Sequence, residues 1–509
     1  MDVTQILMLI TILVYLAAMV GIGAVLAKQN QTTDDFYLGG RTLGPLVTAM
    51  SAEASDMSSW LLMGLPGVAY LSGTADAAWT AIGLAIGTYV NWLVVAKRLR
   101  NYTHVCGNST TLPLFFSNRY RDNKRILSVI AALLIIIFFV PYTASGFAAC
   151  GKLFANLFGM DYLPAMLISA IVIVAYTTLG GFLAASTTDF VQSIVMTIAI
   201  VVVFGFGISK VGSFSAVMDN AKSMAGYFSL THTHDVATGT ASPYSLLQIF
   251  STLAWGLGYF GMPHVLLRFM AIGDANKLKL SRRVATVWVV ISMAGSVFIG
   301  VIGNAMTKAG VLPTLKDPET IILVVADLIS KHGVLATIIA GLILAGILAA
   351  TMSTADSQLL AASSSASQNI LKEVFMKDMS EKTGMLIARI TVLVIALIGV
   401  FIARNPDSSV FQIVSFAWAG FGASFGPLVL LALFWKRSTF QGALCGMVSG
   451  GVMVFVWKFL IRPMGGALGI YELLPAFLLG LAVNVIVSLL TPAPSREVQD
   501  EFDKVASMK

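Results

Sequence analysis

Thirteen stretches of about twenty apolar residues recur along this chain, each long enough to cross a bilayer as a helix. They centre on 5–27, 43–72, 76–98, 126–157, 162–182, 188–210, 245–270, 284–308, 333–361, 385–404, 408–436, 439–461 and 471–491. Within lipid every backbone amide and carbonyl needs a partner inside the protein, so this patterning leaves a bundle of spanning helices as the architecture. The charge supply agrees. Only 11% of the 509 residues are charged, against roughly a quarter in a soluble globular chain, so a water-facing surface of normal size cannot be covered. Secreted, nuclear and cytosolic globular readings are excluded. The 45 glycines fit a helical chain that packs its helices closely and breaks some of them deliberately. The first run is read as a retained helix: residues 1–4 carry no positive side chain, and the run exceeds the length of a signal peptide core.

The formal charge of +7 comes from short basic clusters between apolar runs, with no basic arm or face, so it reports membrane topology and no nucleic-acid partner. Cys106, Cys150 and Cys445 stand alone and predict neither disulfides nor a zinc site. His232 and His234 read as part of a solvated loop. An odd number of spans puts the termini on opposite sides. With the N-terminus outside, 22 Lys and Arg fall in the inner loops, Arg268, Lys377 and Lys509 among them, and nine in the outer ones, which predicts a cytoplasmic C-terminus. The outer segment 309–332 contains TIILVVADLIS, too short to span and read as a surface helix, and 492–509 reads as a short polar cytoplasmic tail.

Function in such a chain sits where the apolar pattern fails at membrane depth. The second segment, VTAMSAEASDMSSWLLMGLPG, holds Glu53, Ser55, Asp56, Ser58 and Ser59. The seventh, STLAWGLGYFGMPH, holds Gly256, Gly258 and Gly261 followed by Pro263. That density of glycine and proline predicts a broken helix. These segments open two groups of five, the second to sixth and the seventh to eleventh, and an odd group length makes the second group start from the opposite side. An inverted repeat whose halves both begin with a broken helix is the pattern of a secondary transporter that binds near the midplane. Packing glycines explain one such cluster as readily; two at corresponding positions favour the binding reading. In the ninth segment, ILAATMSTADSQLLAASSSAS, Ser353, Thr354, Asp356 and Ser357 lie within about one turn. Serines often back-bond their own helix, but hydroxyls with freed carbonyls also make a hard oxygen set suited to Na⁺. Asp189, in GGFLAASTTDFVQ, is a further polar break. A charge at the bilayer centre costs ~2.5–3.5 kcal/mol on insertion scales, so three such Asp call for cation or proton partners. There is no P-loop, no zinc-protease motif and no dinucleotide-binding glycine motif behind a soluble strand, so no enzyme is expected.

The runs SAEASDMSSWLLMGLPG, GGFLAASTTDFVQ, WGLGYFGMPHVLLRFMA, ILAATMSTADSQLL and SFAWAGFGASFGPLVLL, in this order across nearly the whole chain, resemble the sodium/solute symporter family, and within it the sodium/proline symporters. The resemblance implies an all-α polytopic membrane protein with a leucine-transporter-like 5+5 inverted repeat and about thirteen transmembrane helices. It implies an extra N-terminal helix and loop at 1–42, repeats at 43–210 and 244–436 joined by an outer loop at 211–243, two further helices at 437–491 and the tail at 492–509. The implied activity is Na⁺-coupled uptake of L-proline by alternating access in the cell membrane, without organic cofactor or obligatory protein partner. The alternatives are a Na⁺- or H⁺-coupled carrier of another small amino acid or compatible solute, and a sensor or channel on the same fold. About 18 residues after the last span leave little for a signalling domain. Carried over by position, the resemblance implies Na⁺ ligands in the carbonyls of Ala54, Met57 and Ala350 and the hydroxyls of Ser353 and Thr354, with Asp56 as the carboxylate beside them. It implies proline contacts from Ser58, Trp255, Tyr259 and Pro263, with Tyr142 nearby. Ser59 and Met262, both beside the pocket, stand where that subgroup has Gly and Gln. Asp189 and Asp356, with Ser357, are expected to share a second cation or a proton, since two carboxylates so close cannot both stay ionised alone.

Overall fold

The computed structural model describes residues 2–29, 31–376, 378–405 and 409–508; Lys377, Lys509 and the first residue of the eleventh expected span, 408, lie outside them. Its helices, in chain order, are α1 (Val3–Leu26), α2 (Thr33–Leu38), α3 (Pro45–Asp56), α4 (Leu65–Ser72), α5 (Thr74–Val90), α6 (Ala96–Val105) and α7 (Leu112–Arg119). There follow α8 (Ile126–Phe158), α9 (Tyr162–Val211), α10 (Phe214–Ser223), the hairpin strands β1 (His232–His234) and β2 (Ala241–Pro243), α11 (Leu246–Leu253), α12 (Pro263–Ala271) and α13 (Leu278–Lys308). The rest are α14 (Ile321–Ser330), α15 (Val334–Ser364), α16 (Glu381–Ala403), α17 (Val410–Phe434), α18 (Phe440–Val456), α19 (Leu473–Leu490) and α20 (Arg496–Ser507).

Among the described residues ten helical stretches are long and apolar enough to cross a membrane unaided. Three shorter apolar helices, Trp60–Ser72, Tyr162–Ala175 and Leu246–Phe260, bring the spans to thirteen. Two of those three belong to the spans expected to be broken. In the second span α3 ends at Asp56 and a π-helical turn, Trp60–Gly64, leads into α4. In the seventh, α11 passes into a tight 3₁₀ stretch, Ala254–Phe260, before α12 restarts at Pro263. The fifth and sixth spans are the two arms of α9, bent at Gly181, whose φ of 62° and ψ of −163° suit glycine alone.

Contacts between loops separate the two ends of the bundle. On one, α20 is tied down by Arg121 to Glu497 and Glu501 and by Lys436 to Asp503. On the other, Thr74 and Trp79 bond carbonyls of residues 227–230 beside the hairpin, and Gln5 bonds Leu157 O. These are called the tail side and the hairpin side below. The second span climbs from the tail side and the seventh descends from the hairpin side, the inversion read from the odd repeat length.

Several expectations change. The tail is no plain polar extension: α20 is amphipathic and buries Val498, Phe502 and Val505. The TIILVVADLIS helix forms, with one face packed, burying Ile322, Val325, Ala326 and Ile329. His232 and His234 sit on a strand of a small hairpin. Arg268 leaves the inner-loop tally, because it lies on α12 with its side chain 1% exposed. Removing it leaves the sign of the charge bias unchanged.

Candidate functional site: two broken helices meeting α15

The site is built where the helices stop. Ending α3 at Asp56 leaves its last carbonyls without helical amide partners, and the negative end of its dipole points to mid-bundle. Met57, at φ −86° and ψ 69°, takes the chain out of the helix; its amide still bonds Glu53 O (2.9 Å), and Ser58 N bonds Asp56 O (3.0 Å). Across the gap, the Ser353 hydroxyl of α15 donates to Ala54 O at 2.8 Å and lies 3.2 Å from Ala350 O; Thr354 Oγ1 lies 3.2 Å from the same carbonyl. Four of the five expected Na⁺ donors thus converge in one buried place. Met57 ends the same helix, and its Sδ accepts from Ser292 of α13 (3.7 Å). The donors are neutral, hard oxygens, the chemistry that suits Na⁺.

Asp56 joins the two broken spans. Its Oδ2 accepts the Tyr259 hydroxyl at 2.5 Å, and its backbone carbonyl accepts the Tyr142 hydroxyl of α8 at 3.3 Å. Its Oδ1 is buried with no hydrogen-bond partner among the described residues, and so is Ser59 Oγ. Ser58 Oγ is turned back to Trp60 N (3.2 Å). Pro263 opens α12 at its first turn, and Met262 before it is buried and supplies no side-chain cap. The first amides of this half-helix therefore point to the same level with their positive dipole end. Toward the hairpin side the level is closed by rings. Trp255 lies 5.5 Å from Trp60 and 5.1 Å from Tyr471, and Tyr259 meets Trp418 edge-on at 5.1 Å.

The seventh span is tightened rather than unwound, and packing is the reason. At Gly258 an added Cβ would lie 2.0 Å from Trp418 Nε1, and that nitrogen donates to Trp255 O at 2.7 Å. The glycines read as breakers are close-packing glycines as well. Glu53, noted only as a polar interruption, is fully buried and accepts from Trp92 Nε1 (2.7 Å) and Thr88 (3.3 Å) on the third span.

About a turn toward the tail side lies a second polar layer. Asp189 Oδ2 accepts the Ser51 hydroxyl at 2.6 Å and pairs with Arg268 Nη2 at 3.1 Å. Arg268 also donates to Ser51 Oγ (2.9 Å) and to Ser357 Oγ (2.5 Å), and Ser357 Oγ lies 3.0 Å from Asp356 Oδ1. The guanidinium rests on the Phe182 ring at 4.8 Å. The positive charge facing Asp189 is therefore covalently part of the chain. Sequence reasoning missed Arg268 by placing it in a loop; the signal available was its register, since WGLGYFGMPHVLLRFMA carries it nine residues past Tyr259 on an otherwise apolar run.

The architecture is that of the leucine-transporter-like symporters. It superposes on a Na⁺-coupled sialic acid symporter in a substrate-bound outward-open state with a TM-score of 0.78, at 18% identity over 96% of this chain and 99% of that one. A nucleobase-cation-symport-1 family transporter, closed with bromovinylhydantoin bound, gives 0.56 at 15% identity over 92% and 98%. At such identities the likeness speaks for the fold alone. The Sodium:solute symporter family matches residues 36–450, and the chain belongs to that family of membrane transporters. It is 40% identical over 489 residues to the osmoregulated proline transporter OpuE of Bacillus subtilis (strain 168), covering 96% of each chain. To the sodium/proline symporter of Escherichia coli (strain K12) it is 41% identical over 500 residues, covering 97% and 95%. To that of Salmonella typhimurium (strain LT2) it is 41% identical over 502 residues, covering 98% and 96%.

Proposed function

We propose that this protein is a sodium/proline symporter that carries L-proline into the cell with Na⁺ by alternating access. The names of relatives about 40% identical along nearly the whole chain support the solute and the ion. The observation that carries the mechanism is the Tyr259–Asp56 hydrogen bond, which joins the two broken spans one residue from the Na⁺ donors.

In this reading Na⁺ is held by Ala54, Met57 and Ala350 carbonyls with Ser353 and Thr354 hydroxyls, and Asp56 supplies the negative charge beside it. Proline lies between the breaks. Its ring rests on Trp255, Tyr259 and Tyr142, and its carboxylate meets the half-helix amides after Pro263 and the hydroxyls of Ser58 and Ser59. Bound Na⁺ would satisfy Ala54 O and free the Ser353 hydroxyl, fixing the end of α3 in the position that proline needs. Asp189, Asp356 and Ser357 work around Arg268 as the tail-side closure, with the guanidinium in the place expected of a second cation. The hairpin side is the outside and α20 faces the cytoplasm, following the basic residues. The repeats at 43–210 and 244–436 rock against each other about this level.

Labelled proline uptake into proteoliposomes tests the reading. A Na⁺ gradient should drive accumulation that a H⁺ gradient alone does not, and unlabelled proline should compete better than other small amino acids. Uptake indifferent to Na⁺ would overturn the coupling, and a different best competitor would overturn the solute.

A further inference from the structure

Arg389 stands on α16 eight residues after Glu381, about 12 Å along a helix that crosses the membrane, and it is exposed. Leu386, Leu393 and Leu397 share its helical stripe and are exposed as well, so this face of α16 looks into lipid. Among the described residues Arg389 has no hydrogen bond, ion pair or ring contact. A charge at that depth needs a counter-charge, and a lipid-facing arginine reaches one by running its stem toward the nearer headgroups. For Arg389 these lie on the tail side, where α16 begins. There Glu381 Oε2 accepts Thr33 N (3.0 Å), and Arg125, just before α8, pairs with Glu373 (2.8 Å). Beyond Arg389 the stripe runs into an apolar groove of about 520 Å³ between α16 and the first arm of α9. Leu393 and Leu397 line one wall, and Ile171, Val174 and Ala175 the other. At the hairpin end the Tyr162 hydroxyl donates to Ala403 O at 2.6 Å and ties the two helices together. That end is pinched, while the tail end leads to Arg389 one turn away.

We propose that Arg389 and this groove form a binding site for one anionic phospholipid of the tail-side leaflet. The phosphate sits on the Arg389 guanidinium, whose fork suits it, and one acyl chain fills the groove. Charge selects the headgroup. Lys382, two turns nearer the headgroups on the same stripe, is exposed and adds a second cation, while its neighbour Glu381 is turned onto Thr33 N. Two cations against one phosphate favour a lipid whose headgroup carries no positive charge of its own. The pinched hairpin end selects the leaflet, because a chain enters only from the tail end. The walls are the fifth and tenth spans, the fourth members of the two repeats, so the lipid touches both halves of the protein. The site does not depend on which solute or ion is carried.

Native mass spectrometry of the full chain in detergent, with phosphatidylglycerol or phosphatidylcholine of identical chains added, reads the site without transport. Wild-type protein should bind its first phosphatidylglycerol about fivefold more tightly than phosphatidylcholine, ~1 kcal/mol. Arg389→Gln should bring the two lipids within about twofold of each other. Arg404→Gln is the control, since Arg404 lies beyond the Tyr162–Ala403 bond and rests on the Phe401 ring at 4.1 Å; it should keep the wild-type preference. Ala175→Phe fills the groove from an exposed position and should weaken both lipids about tenfold. It leaves every charge in place, so it decides the proposal even where Arg389→Gln fails to fold. A preference that survives in Arg389→Gln overturns the proposal, and so does an equal loss in Arg404→Gln, which marks unspecific surface charge. Lipid binding unchanged in Ala175→Phe overturns the groove as the seat of the chain. A dimer that Ala175→Phe takes apart gives this face to a second copy and overturns the lipid site.

Discussion

Asp56 and Asp189 are both fully buried carboxylates on broken or bent spans, and their surroundings differ in one respect. Asp189 faces a guanidinium that belongs to the chain, braced by Ser51 and Ser357 on two other helices. Asp56 has the Tyr259 phenol on Oδ2 and no side-chain cation; the Oδ1 of each carboxylate has no hydrogen-bond partner among the described residues. An ionised carboxylate in the membrane interior needs a positive partner. Where the partner is covalent, the layer can lock; where it is absent, an ion from solution can supply it and leave again. In the proposed function, exchange therefore belongs to the Asp56 layer and closure to the Asp189 layer.

The largest effect on uptake is expected at Asp56. Asp56→Asn keeps the shape and the Tyr259 contact but removes the charge, and Na⁺-driven proline uptake should fall about 100-fold, near 2.7 kcal/mol. Uptake within about threefold of wild type would remove the exchange role. Next is Arg268→Gln, which strands Asp189. Losing one partner of a buried ion pair costs ~3–5 kcal/mol, read as a lower melting temperature in detergent. The double variant Asp189→Asn, Arg268→Gln should recover part of that loss, because no charge is left alone. A double variant as unstable as the sum of the singles would mean that the pair does not act as a unit. Smaller still is Ser353→Ala, which removes one of the five oxygen donors. It should raise the Na⁺ concentration for half-maximal uptake about tenfold, ~1.4 kcal/mol, with little change in proline KM at saturating Na⁺. The same shift in Ser357→Ala would erase the distinction between the layers. Gly258→Ala is expected to cost ~1–3 kcal/mol of stability by overpacking against Trp418, measured by thermal unfolding.

The spans and the break after Asp56 were legible because hydropathy and helix breaking are local properties of the chain. The expected site residues of the second, fourth, seventh and ninth spans come together, since inverted repeats bring matching positions to one level. Arg268 was not legible as a membrane residue: a lone basic side chain near the end of an apolar run looks the same whether it reaches water or a carboxylate on another helix. Nor was the 3₁₀ form of residues 254–260, because glycine runs permit unwinding and tightening alike, and only the approach of Trp418 decides. The paired tail helix α20 depended on Arg121 and Lys436, which lie hundreds or tens of residues away in sequence.

The most direct measurement is the number of Na⁺ ions moved with each proline, obtained from the membrane voltage at which net flux into proteoliposomes reverses under set gradients. One exchangeable layer, with Arg268 fixed in the other, leads to one Na⁺ per proline. Two Na⁺ per proline would contradict the account, since the Asp189 layer would then have to hold an ion beside its own guanidinium.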